Sequence, residues 1–161
     1  MSVGNTEQGR SGVGVTGVEG EADHRRSMRA EVIAELREQV GARVARTART
    51  VRPPLRLNAS LRSLLVADLY GTGTGTGTGA DAGAATLRPA VLFARLLERL
   101  RAVDAAAAAD PRWAAVGAQL AQVDGLEAGV RAGDADAVGQ AMAGALGVDL
   151  LLQSLLRDLG A

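Results

Sequence analysis

Apolar residues recur at helical spacing through most of this chain. Met28, Val32, Ile33, Leu36, Val40, Val44, Thr47 and Val51 follow one another at steps of one, three and four, which puts them on one stripe of an α-helix. The stripe predicts a helix over residues 27–51, with Ser27 as N-cap and Pro53-Pro54 as the stop. Glu31 and Glu35 stand in its first half, and Arg43, Arg46, Arg49 and Arg52 toward its end. That order suits the helix dipole. A shorter helix is expected over 59–70, capped by Asn58, with Leu61, Leu64, Leu65 and Leu69 on one side. Val91, Leu92, Leu96, Leu97, Leu100 and Val103 predict a further helix that opens at Thr86, carries Pro89 in its first turn and is extended by the alanines 105–109. Asp110-Pro111 is expected to end it and to cap the next helix, 111–123, with Trp113, Val116 and Leu120 inward. Glycines then divide the remainder into short helices near 126–132, 134–146 and 148–159, with Asp134 as a cap.

Two stretches have no such period. Residues 1–26 are glycine-rich and polar and read as a disordered tail. Gly12-Val13-Gly14-Val15-Thr16-Gly17 matches the dinucleotide-binding string, but Gln8-Gly9-Arg10-Ser11 before it is no strand and no helix is expected to open after it, so the match carries no such site. Met28, at the head of the first periodic segment, is a candidate translation start. From Gly71 to Gly79 glycine and threonine alternate strictly. Ordering such a run is entropically costly, so 71–85 reads as a flexible tether. The expected fold is all-α: a disordered tail (1–26), a basic arm of two helices (27–70), the tether (71–85) and an Ala/Leu-rich helical body (86–161) forming a small bundle.

Charge sharpens this division. The net charge is zero, yet residues 25–62 hold ten arginines against three glutamates, and residues 102–161 hold eight acids against three arginines. All basic residues are arginine, which with the Ala and Gly excess fits a GC-rich genome. Tyr70, Phe93 and Trp113 are the only aromatics, so the core is expected to be Leu, Val and Ala. No cysteine is present, which excludes disulfides and thiolate chemistry. The first residues lack the pattern of a secretory signal, and no uninterrupted apolar run reaches the ~20 residues of a membrane span. Both point to a cytoplasmic protein with no membrane partner.

Few residues suit catalysis. The lone His24 falls in the tail, away from any nucleophile. Asp134 and Asp136 are two apart, hence on different faces, and Asp134 is better used as a cap. The Gly-Thr run lacks the Lys-Ser/Thr ending of a phosphate loop. No cofactor or metal is expected, and an enzyme using carboxylates alone is the third reading. The first reading is a non-enzymatic interaction or assembly module that self-associates or binds a protein partner through Leu151, Leu152, Leu155 and Leu156, because leucines nearly encircle the last helix. The second is nucleic-acid binding through the row Arg43, Arg46, Arg49, Arg52 and Arg56. Ala143, then Leu146-Gly147-Val148-Asp149 and the segment through Gly160, resembles the turn and second helix of bacterial helix-turn-helix domains. That resemblance implies DNA contact through Gln153, Ser154 and Arg157. It departs from the pattern where Leu150-Leu151-Leu152 fill the recognition surface.

Overall fold

The first apolar stripe lies on a helix that is longer than its pattern and not uniform. The computed structural model describes residues 16–50, 59–71 and 88–160. Within them α1 (Thr16–Glu35) leads into a π-helical insertion (Leu36–Gly41) and then α2 (Ala42–Thr50). Glu35 and Ala42, which flank the insertion, both keep right-handed helical dihedrals, so the three segments run on as one rod. The helix opens at Thr16, N-terminal of the expected Ser27 cap. Of the stretch 1–26, residues 16–26 are thus helical and 1–15 lie outside the described residues. Glu21–Arg25 and Asp23–Arg26 pairs line its solvent side, the kind of i,i+4 and i,i+3 support an exposed helix uses.

The insertion has a cause in the stripe. Leu36, Val40 and Val44 are all buried and follow one another at steps of four without an intervening step of three. In a straight α-helix each step of four drifts about 40° around the axis. A wider i→i+5 turn offsets that drift and keeps the three side chains on one face.

α3 (Ala59–Tyr70) has the expected bounds. Residues 51–58 and 72–87, which include Arg52, Arg56, Pro53-Pro54, Asn58, Thr86 and nearly all of the tether, lie outside the described residues. α4 (Pro89–Val103) has Pro89 at its first position. The alanines do not extend it. Asp104 turns extended (φ −143°, ψ 87°) and accepts a bond from the Ala107 N–H, opening a separate turn, α5 (Ala105–Ala108). An N-capping carboxylate here outweighs the helix propensity of alanine, because it satisfies a donor that would otherwise be unpaired. Asp110 caps α6 (Pro111–Gly125) as expected, accepting from Arg112 N–H at 2.9 Å. α7 (Glu127–Ala132) ends on Gly133 at φ 80°, a left-handed conformation suited to glycine.

The largest departure is at the C-terminus. The two short helices expected around Gly147 are one, α8 (Ala135–Asp158), capped by Asp134. Gly147 is interior to it and lies against Gln119 of α6; a Cβ there would meet Gln119 Oε1 at 2.6 Å. The glycine continues the helix beside the Gln119 side chain, and there is no turn at 146–149. The geometry of a helix-turn-helix is therefore not formed. Fusion also makes α8 long and apolar enough, by length and composition alone, to cross a membrane (24 residues, mean hydropathy 1.3). Its apolar side is packed in the bundle through Val138, Ala141, Ala145, Val148, Leu152 and Leu155.

α8 packs mainly on α6 and α2, while α1 packs on α4, α2 on α3, and α3 on α7. No strand occurs among the described residues. The all-α bundle read from the periodicity is the observed fold. Trp113 anchors it: its ring meets Phe93 at 6.0 Å between centroids, and its Nε1–H donates to Ala107 O at 2.9 Å, fastening α5 to α6.

Candidate functional site

A groove of about 830 Å³ runs between the arginine-bearing rod and the C-terminal half of α8. Arg37, Arg46, Arg49 and Arg157 line it together with Gly41, Ala42, Ala45, Asp149, Leu152, Gln153 and Leu156. The π-helical insertion positions Arg37, its second residue, over the same groove as Arg46 and Arg49 of α2. Leu152 and Leu156 belong to the core and reach the groove only by their edges. Asp149 is buried and accepts from Gln153 Nε2–H at 2.8 Å. Arg46 pairs with Asp68 of α3 at 3.3 Å. Arg37, Arg49 and Arg157 make no ion pair among the described residues.

A second groove, about 460 Å³, continues along α1 between Arg26, Arg29 and the end of α8 at Leu159-Gly160. Arg37 lines both. Here Arg29 is engaged: it donates to Leu159 O at 3.1 Å and pairs with Asp104 at 3.2 Å. Arg37, Arg49 and Arg157, which make no ion pair among the described residues, all line the first groove.

The residues singled out in the sequence fall as follows. Leu152, Leu155 and Leu156 are buried within the chain's own core and Leu151 is partly buried, packed against it. Of the arginine row, Arg46 and Arg49 line the groove, Arg43 is half-exposed on α2, and Arg52 and Arg56 lie outside the described residues. The structure thus joins part of the leucine set to part of the arginine set. It adds Arg37, whose place beside Arg46 depends on the insertion; the unbroken steps of four from Leu36 to Val44 are the signal that could have found it. His24 is exposed on α1. Among the described residues no three His, Cys, Asp or Glu side chains converge on a metal-sized site.

A second polar cluster sits where α6 meets α7. Tyr70, at the end of α3, donates its hydroxyl to Val123 O at 2.7 Å, and the Ala90 N–H at the start of α4 donates to Asp124 Oδ2 at 3.2 Å. Arg88 pairs with Glu127 at 2.9 Å. Tyr70, Arg88 and Ala90 are thus fastened at one place. Burial pushes the Asp124 carboxyl up; the Ala90 N–H and Arg88 oppose the shift and Glu127 adds to it. Burial, and then the charges of Asp124 and Glu127, raise the Tyr70 hydroxyl as well. At the opposite end of α6, Arg112 pairs with Asp110 and Asp158 and donates to Ser154 Oγ at 2.9 Å. The same pairing holds the Asp110 carboxyl below its ordinary range.

The fold is an all-α bundle with a cleft lined by Arg37, Arg46, Arg49 and Arg157. No protein-family model, curated protein or solved structure matches the chain.

Proposed function

We propose that the protein is a non-enzymatic interaction module whose groove takes an acidic, amphipathic helical segment of a protein partner. The observation that carries this is the set Arg37, Arg49 and Arg157, unpaired among the described residues, around the edges of Leu152 and Leu156. A helix laid in such a groove sets apolar anchors on the floor and carboxylates against the guanidinium groups on either side. Arginine gains from this because its fork meets a carboxylate through two hydrogen bonds. Phosphate would also suit arginine, but no aromatic side chain lines the groove for base stacking, and stacking supplies much of the affinity for single strands.

Fluorescence anisotropy with two labelled probes tests the proposal. One is an amphipathic Leu/Glu helix of about 20 residues, and the other a duplex DNA of similar charge. The helix is expected to bind and the DNA to bind at least about tenfold more weakly at near-physiological salt. Tight DNA binding that falls steeply with salt, with no binding of the helix, would overturn it and favour the nucleic-acid reading.

A further inference from the structure

The outer face of α8 carries a pattern that its own bundle does not use. Leu150 is 59% exposed and Leu146 49%, among the large apolar side chains most open to solvent in the described residues. Gly139 and Ala143 continue the same face toward the N-terminus, and a Cβ at Gly139 would meet nothing within 4 Å. At its two ends stand Asp136 and Arg157, both exposed, whose side chains make no ion pair among the described residues. They are about 32 Å apart along the axis at 1.5 Å per residue and cannot meet within one chain.

The face is self-complementary about a single point. Asp136 and Arg157 are equidistant from the midpoint between Leu146 and Gly147, and so are Ala143 and Leu150. From this we infer that two copies of the chain pair through antiparallel α8 helices on a two-fold axis at that midpoint. Ala143 of each copy then receives Leu150 of the other, a small residue facing a large one, and Leu146 meets its own counterpart beside the axis. Asp136 of each copy meets Arg157 of the other, so every pairing occurs twice, as an isologous interface requires. The charge pattern selects this occupant: a parallel pair would set like charges against like at both ends. Leu150 does not line the groove but Arg157 does, so the dimer and the groove reading share that one arginine. Pairing engages Arg157 at the groove's edge and leaves Arg37, Arg46 and Arg49 lining it.

The test is sedimentation equilibrium of the full chain from about 5 µM to about 500 µM, a span that brackets micromolar dissociation constants. The wild type is expected to pass from monomer to dimer and no further. Leu150→Asp is expected to stay monomeric with unchanged helicity and thermal midpoint, since the side chain is mostly in water. Asp136→Arg and Arg157→Asp are each expected to weaken the dimer about tenfold, through two symmetry-related contacts turned repulsive. The double variant Asp136→Arg/Arg157→Asp restores opposite charges across the axis and is expected to regain the dimer. A wild type that is monomeric throughout, a Leu150→Asp variant that still dimerises, or a double variant no better than the singles would each overturn the inference.

Discussion

Alkaline titration of Tyr70 reads out the docking of α3 with little interference. The chain has one tyrosine and no cysteine, and its basic side chains are all arginine. Arginine holds its proton to about pH 12 and beyond, so between pH 10 and 11.5 Tyr70 is the only side chain whose ordinary value, 10.0, falls near the range. In the fold its hydroxyl is spent on Val123 O and the residue is 4% exposed. The neighbouring charges of Asp124 and Glu127 further oppose a phenolate. The folded form therefore holds the proton while the unfolded chain releases it, and stability must fall as pH rises above 10. One unperturbed proton in the unfolded state against a retained one in the fold costs about 2 kcal/mol by pH 11.5. Tyr70→Phe should abolish this loss. At neutral pH it should cost only about 1 kcal/mol, one net hydrogen bond, or roughly 2–4 °C in midpoint, because Val123 O keeps its bond from the Leu126 N–H at 3.0 Å. Urea unfolding at stepped pH, read beside tyrosinate absorbance, makes the measurement. Tyrosinate absorbance that rises near pH 10 with helicity intact would show that Tyr70 is open to solvent and refute the docking of α3 on the α6–α7 junction.

Two further outcomes follow from named contacts. Asp124 holds its proton more tightly in the fold than in the unfolded chain, so the fold loses stability as pH rises above the ordinary value of 3.8; the stability of Asp124→Asn relative to wild type should therefore grow as pH rises from that value and then level off, and a difference that ignores pH would contradict the burial described. Gly129→Ala should destabilise, although alanine favours helix by about 1 kcal/mol, because the new Cβ would lie 2.6 Å from Ala137 Cβ and overpacking costs about 1–3 kcal/mol; adding Ala137→Gly should cost less in that background than alone, and simple additivity in denaturant unfolding would count against the close α7–α8 contact.

Periodicity in this chain carried the fold but not its joints. The stripe from Val32 to Thr47, the α3 bounds, Pro89 in a first turn and the Asp110 and Asp134 caps were all legible, because each rests on local spacing or on a single side chain meeting a backbone donor. Asp104 was missed: an alanine run hides a cap when propensity is weighed alone. Gly147 was misread for the converse reason. Glycine within a helix costs only about 1 kcal/mol relative to alanine, and the packing of α8 on α6 and α2, distant in sequence, carries the helix through Gly147. The arginine row was visible as charge, and the leucines as an apolar helix. That Arg37, Arg49 and Arg157 would share one groove with Leu152 and Leu156 was not legible, since it depends on how the insertion rotates the rod and on which face α8 turns to α2.

The measurement closest to the central claim is isothermal titration of the Leu/Glu helix into the wild type and into the Arg37→Glu/Arg49→Glu variant, each at low and at moderate salt. Both arginines are exposed at the groove and unpaired among the described residues, so the variant should keep its fold. The account predicts one site per chain, affinity that falls with salt, and at least a tenfold loss in the variant. Equal binding by both proteins would contradict it and place any contact with acidic partners elsewhere on the molecule.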